Sequence, residues 1–256
     1  MARDLVDLLW RDHPDAPRGG TRGPRARVSA SDAVDAAVAL ADAEGLAAVT
    51  ARRLAGVLGV SAMALYTHVG SLDDLHVLMA DAVHAAMPRE PYADDTSADH
   101  ASAADALADR TWRRRVRAVA ETNLTLLTEH PWLLDVADQR TALGPGTIAK
   151  YDHELHALDP LHLPDADRDA ALTFVLDFVR GAARARRPDP HGAAMAAEWG
   201  TWGPRLAAYL ADAHPLAQRV GAAAGAEQGA AYSPDHAWRF GLDRVLDALG
   251  ALHRDA

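Results

Sequence analysis

Apolar residues recur along this chain at three- and four-residue intervals and almost nowhere in strict alternation. That period belongs to helices, so the pattern predicts an all-α protein. Val34, Ala37, Val38 and Ala41 make a first stripe, Leu54, Val57 and Leu58 a second, and Leu75, Leu78, Met79, Ala82 and Val83 a later one. A hydroxyl residue suited to an N-cap precedes each short helix: Ser29 with Asp32 and Ser71 with Asp74 as capping boxes, Thr50 and Ser61 as single caps. Gly45 and Gly59 close the first two as left-handed caps. Residues 29–88 thus read as four short helices. Beyond the break at Pro88 and Pro91, helices are expected near 101–129, 145–158, 165–186, 204–212 and 235–253. Pro145 and Pro204 suit first-turn positions, and Gly200–Pro204 reads as a breaker. The Gly- and Ala-rich run 221–230 is low-complexity, without order of its own in the absence of a partner.

Ahead of Ser29 stand two different pieces. Leu5, Leu8 and Leu9 have helical spacing and, with Trp10, predict a short helix packed on the protein's own surface. Residues 11–27 are rich in Pro, Gly and Arg and predict an extended arm. Residues 1–28 thus form an N-terminal extension, 29–88 a first domain and 89–256 a second.

Composition removes whole classes of function. The 256 residues include no cysteine, which excludes disulfide scaffolds, thiol catalysis and thiolate zinc sites. No apolar run is long enough for a membrane helix, and the first residues lack a secretion-signal layout, so a cytoplasmic protein is expected. Nucleophile-elbow, phosphate-loop and His-Glu-x-x-His motifs are missing, which argues against an enzyme. The net charge of −10 argues at first sight against a nucleic-acid partner. The positive groups are sorted, however: Arg18, Arg22, Arg25 and Arg27 lie within ten residues that hold no acid.

Two helices of about two turns joined by a short glycine-containing turn have the geometry of a helix-turn-helix. In it Ala55 leaves room for the crossing, Gly59 turns the chain and Leu65 fills the angle. A plain helical hairpin fits that pattern as well. The residues themselves carry more. Ala39–Leu46, Val49-Thr-Ala-Arg-Arg-Leu-Ala55 and Leu58-Gly-Val-Ser-Ala-Met-Ala-Leu-Tyr-Thr-His-Val69 strongly resemble the DNA-binding domain of the tetracycline-repressor family. Trp112–Arg115, His130–Leu133, Leu143–Pro145 and Phe240–Arg244 resemble its regulatory domain more weakly. The arm resembles an extension carried by many actinobacterial members.

The resemblance implies an N-terminal helix-turn-helix domain followed by a helical bundle for ligand binding and dimerisation. It places the helix that starts at Ser61 in the DNA major groove. Thr50 would then meet a phosphate, Arg52 a base, and Ser61, Ala62, Met63 and Ala64 the base edges, while Tyr66 and His68 bond phosphates. Ala62, Met63 and Ala64 offer only apolar surface, and Gly70 and Leu72 stand where relatives often carry lysines. The arm arginines Arg18, Arg22, Arg25 and Arg27 are therefore expected to add minor-groove affinity. The bundle is expected to pair through Leu172, Val175, Leu176 and Val179 with Trp238, Leu242, Val245, Leu246 and Leu249. Trp112, Trp132, Tyr151, His153, Phe174, Trp199 and Trp202 are candidates to line a lipophilic or antibiotic-like effector's pocket. The acidic and histidine residues from Asp152 to His156 are a source of its polar groups; neither metal nor cofactor is expected. The resulting reading is a homodimeric repressor of a near-palindromic operator on double-stranded DNA, released by a small molecule. An activator, or a regulator answering to a protein, is the alternative.

Overall fold

The computed structural model describes residues 4–16, 28–92, 101–211, 213–228 and 233–254, giving the backbone alone for 101–110, 190, 193, 196, 228, 253 and 254. The arm arginines Arg18, Arg22, Arg25 and Arg27 lie outside the described residues. The α-helices are α1 (Leu5–Leu9), α2 (Ala30–Glu44), α3 (Ala51–Leu58), α4 (Ala62–Val69), α5 (Leu72–Ala86), α6 (Ala101–Glu129), α7 (Pro145–Leu155), α8 (Asp165–Ala185), α9 (Pro190–Leu210), α10 (Pro215–Gln228) and α11 (Pro234–Arg254). Short 3-10 turns at Pro131–Asp135 and Gln139–Leu143 connect α6 to α7, and another at His156–Leu161 follows α7. No strand occurs among the described residues.

The starts of α2 to α5 follow from local chemistry. Ser29 Oγ accepts from the Asp32 amide while Asp32 accepts from the Ser29 amide at 2.7 Å, and Ser71 and Asp74 repeat the exchange. Thr50 and Ser61 cap α3 and α4 through the amides three residues on. Gly59 is left-handed, with φ 65° and ψ 33°, which lets α3 turn into α4. Gly45 also has positive φ, but its ψ of 165° makes it an extended link and not a left-handed cap. Val57 departs from the expected stripe: it is 68% exposed, because Ala51, Leu54, Ala55 and Leu58 form the face of α3 turned to the core.

Two cores result. The first gathers Leu54, Leu65, Leu75 and Met79 around Val34 and takes in Leu5, Leu8 and Leu9 of α1, so the start of the extension is a docked helix. Trp132 and Leu126 enter the same core from the second half of the chain. The second core packs Trp112 and Val116 of α6 against Leu158, Leu161, α8 and α11. It consumes most of the residues expected to pair two subunits. Leu172, Val175, Val179, Leu242, Val245, Leu246 and Leu249 are buried within the single chain, while Leu176 and Trp238 are half-buried at its edge. Helical spacing marks an apolar face without saying whether the same chain or another covers it.

The last third holds more helix than the breakers suggest. α9 begins at Pro190, capped by Asp189, and runs through Gly200–Pro204. Pro204 is therefore interior and not at a first turn. Trp199 lies beside Gly203 and beside Gly225 of α10. α10 covers most of the low-complexity run, in keeping with alanine's helix propensity.

Candidate nucleic-acid interface and effector cavity

α3 and α4 present one outward face. Thr50, Arg52, Ser61, Met63 and Tyr66 are exposed on it, and Ala62, Ala64 and His68 are half-buried at its edges. Met63, 75% exposed, gives this face its apolar part. Leu65 and Val69 hold α4 down from its opposite side. The uncapped amides at the starts of α3 and α4 add a positive end to the same face. Arg53 is not part of it: both guanidinium nitrogens bond Glu44 of α2, at 2.6 and 2.7 Å. A bidentate carboxylate partner fixes that arginine inside the domain.

α5 carries this unit onto the second half of the chain through polar joints. Asp81, buried on α5, accepts from the Thr147 amide at 2.8 Å and caps α7, whose own N-cap residue Gly144 has no side chain to do so. Burial pushes the Asp81 carboxyl up, against the pull of the Thr147 and Gly146 amides. His84 meets Thr147 Oγ1 at 2.9 Å. Arg140 reaches Asp74 at the start of α5, and Trp10 Nε1 donates to the Leu143 carbonyl oxygen at 2.9 Å. On the far side Asp42 of α2 receives both His130 and Trp132 Nε1, each at 2.7 Å. α1, α2 and α5 are all tied to the segment between α6 and α7.

His84 makes the joint sensitive to acid. Burial first, then the nearby Lys150 and Arg180, hold its imidazole down at about 3, against an ordinary 6.5. The folded chain refuses a proton that the unfolded chain accepts. The stability tied to this group is complete above pH 6.5 and lost as pH falls toward 3, by up to about 1.4 kcal/mol per pH unit. A His84→Gln variant, which keeps a partner for Thr147, is expected to show a shallower fall in unfolding free energy between pH 6.5 and 4. Identical slopes for the two proteins would contradict this assignment.

Behind the joint lies a cavity of about 610 Å³, between the link Met87–Tyr92, one face of α6 and α7. Met87, Pro88, Pro91, Ala118 and Val119 give it apolar walls. Its polar groups are concentrated. Lys150 Nζ donates to Glu154 Oε2 at 2.6 Å, and Asn123 donates to the other Glu154 oxygen, all three being buried. The Tyr92 ring stacks on His153 with centroids 4.7 Å apart and lies under the Arg115 guanidinium. Burial pushes the Tyr92 phenol up to about 12, and its hydroxyl has no hydrogen-bond partner.

Of the seven expected pocket residues, only His153 lines this cavity. Trp112 is fully buried in the second core. Trp132 belongs to the joint with α2. Tyr151 is exposed and donates to Asp169 of α8 at 2.7 Å, and Trp199 and Trp202 lie on α9. Phe174 sits on the outer side of α8, in a groove with Leu163, Leu249 and Leu252. Trp112 and Trp132 went to structural seams because they offer the most area to bury there. Lys150, Tyr92 and Asn123 were missed, although Lys150 is the chain's sole lysine and stands four residues before Glu154.

Fold and site together define a helix-turn-helix DNA-binding protein whose reading unit is coupled to a cavity-bearing helical domain. Residues 106–252 match the family model described as the tetracyclin repressor-like C-terminal domain. The chain is 34% identical over 258 aligned positions to the HTH-type transcriptional repressor DrrR1 of Streptomyces coeruleorubidus, covering 98% of this chain and 86% of that protein. The chain belongs to the tetracycline-repressor family. Among solved structures, ActR of Streptomyces coelicolor in complex with actinorhodin shares the fold at TM-score 0.68 and 21% identity, over 89% of this chain and 97% of that one. BioQ with its double-stranded DNA operator, a protein also solved from Mycobacterium smegmatis, shares it at TM-score 0.54 and 20% identity, over 88% and 99%. Among the described residues no helix is long and apolar enough to cross a membrane.

Proposed function

We propose that this protein is a homodimeric transcriptional repressor that binds a near-palindromic operator and leaves it when a small molecule occupies the cavity between α6 and α7. The observation that carries the reading is the shared wall. The link leaving α5 forms one side of the cavity, and α7, which Asp81 caps from α5, forms another. A molecule filling that space meets both sides of the joint that orients the reading unit, and it shifts the population between two arrangements of α5. An open cavity at this place favours a ligand over a protein partner as the signal. The names of DrrR1, a repressor, and of the ActR complex with actinorhodin accord with it.

Two subunits would meet through the outer sides of α8 and α11, where Phe174, Phe240 and Leu252 are exposed. Such a dimer sets two α4 helices about 34–36 Å apart, one turn of DNA. The test is to select duplexes from a random library and measure binding to the enriched site by fluorescence anisotropy. A single site without two-fold symmetry would overturn the dimeric reading. Absence of any enrichment would overturn the repressor reading altogether.

Arg52→Ala is expected to weaken operator binding by about 1–3 kcal/mol and relax preference at one base position of each half-site. Unchanged affinity would remove Arg52 from the interface. For the arm, deletion is the wrong experiment, because α1 is part of the first core. Replacing Arg18, Arg22, Arg25 and Arg27 together by Gln leaves α1 in place. The expected result is weaker binding and a shallower dependence of log affinity on log salt, by about 0.9 for each DNA phosphate that the arm no longer neutralises. An unchanged slope would mean that the arm neutralises none.

A further inference from the structure

The cavity's hydrogen-bond inventory identifies the chemistry of what it takes. Glu154 is engaged through both oxygens, by Lys150 and Asn123. Both N–H groups of the Asn123 amide are engaged as well, by Glu154 and the Val119 carbonyl. Lys150 is different. An ammonium has three donors and no acceptor, and Lys150 uses one of them. Its head group is buried at the cavity wall, where solvent supplies few acceptors. Tyr92 shares the wall through its ring, while its hydroxyl is closed off from the cavity space. Lys150 thus has donors left over at the cavity wall, and an acidic group on a bound molecule supplies their acceptors.

Charge points the same way. The wall carries Arg89, Arg114, Arg115 and Lys150 against Glu90 and Glu154, in a chain whose net charge is −10. Arg89 is bonded to the carbonyl oxygens that end α5, and Arg114 and Arg115 have contacts of their own. Lys150 is the cation with donors to spare. The remaining wall is mostly apolar, which suits a hydrocarbon or aromatic body.

We infer that the cavity binds an organic anion with an apolar body, whose acidic oxygens, a carboxylate or sulfonate, accept from Lys150. This deepens the effector reading above and rests on it only for the consequence of binding. A lysine suits the role because an ammonium is a compact charge whose donors follow the ligand, whereas a guanidinium fork demands one planar partner. Glu154 holds the ammonium where it is and Asn123 holds Glu154; both are positioning residues, and Lys150 is the group that meets the acidic oxygens.

The test uses two dyes with the same ring system, 8-anilino-1-naphthalenesulfonate and its sulfonate-free counterpart N-phenyl-1-naphthylamine. Both are titrated by fluorescence into the full-length protein. The anion is expected to bind at least about ten-fold more tightly, the scale of a hydrogen bond to a charged group. In Lys150→Gln/Glu154→Gln, which removes the charge but keeps polar groups at both positions, the two dyes are expected to bind alike. Equal affinities in the wild type, a preference that survives the double substitution, or binding of neither dye would each overturn the inference. Operator release is scored in the same samples. Lys150-dependent binding without release would leave the inference standing and sink the effector reading. Release by both dyes with equal affinity would do the reverse.

Discussion

Gly146→Ala is expected to lower the unfolding free energy by about 2–3 kcal/mol, the upper part of the range for an added carbon in a filled space. For a chain of this size that corresponds to roughly 5–10 °C in Tm. Gly146 is the second residue of α7 and faces α5. A Cβ there would fall on the Asp81 carbonyl oxygen, and would lie 2.7 Å from the Ala85 Cβ and 2.8 Å from the Ala85 amide nitrogen. Two of these obstacles are helix backbone, so no rotamer relieves them. α5 and α7 must separate, and the Asp81 cap on Thr147 opens with them. The same substitution at Gly200 of α9 meets nothing within 4 Å and is the control. There alanine is expected to stabilise by about 0.5–1 kcal/mol, because a helix interior disfavours glycine. If thermal denaturation finds Gly146→Ala as benign as Gly200→Ala, the close approach of α5 and α7 is not the structural joint described above. Operator titration supplies a second readout. A displaced α5 weakens binding at temperatures where the variant is still folded.

These glycines also mark how far the sequence could be read. The capping boxes at Ser29 and Ser71, the turn at Gly59 and the buried Leu65 are local features. The caps and the turn are fixed by residues within four positions and Leu65 by the neighbouring helices of the same short unit, and each stands in the structure where the sequence put it. Gly144 and Gly146 looked like chain breakers beside Pro145. In the fold their function is contact: they let Asp81, more than sixty positions earlier, cap α7 directly. Nothing near residue 146 announces a partner at that distance. The stripe of Leu172, Val175 and Val179 was legible as apolar, but not which surface covers it. Tryptophans drew attention to the wrong places for a related reason. Trp112 and Trp132 have the area to weld helices together and are placed for that.

The cavity was partly legible. His153 and Glu154 stood out in a polar cluster expected to supply the pocket's polar groups. The structure divides that cluster. His153 turns to Tyr92, Glu154 to Lys150 and Asn123, and His156 to Asp159 at 2.7 Å. One helix presents these side chains on separate faces, which sequence adjacency conceals. Lys150 and Glu154, four apart, share a face and go inward together.

Lys150→Met is expected to destabilise the protein by about 3–5 kcal/mol, because it leaves Glu154 buried without its cation. The double variant Lys150→Met/Glu154→Leu is expected to recover most of this, to within about 1–3 kcal/mol of the wild type, the remainder being the buried Asn123 N–H that loses its Glu154 acceptor. Taking two charges out of water costs nearly what their attraction returns, so an apolar pair of similar volume does nearly as well. Asn123 keeps its bond to the Val119 carbonyl in either protein. Chemical denaturation of the wild type, both single variants and the double variant closes the cycle, and the coupling it yields separates pairing from burial. If the double variant is as unstable as Lys150→Met alone, the ion pair is itself a source of stability and its presence in the cavity needs no further reason. If the double variant recovers, stability does not explain why a chain with one lysine buries it beside a glutamate at a cavity wall. The remaining reason is binding. A recovered double variant should hold its operator as the wild type does and fail to release it to an anionic ligand, a combination that a purely structural pair would not produce.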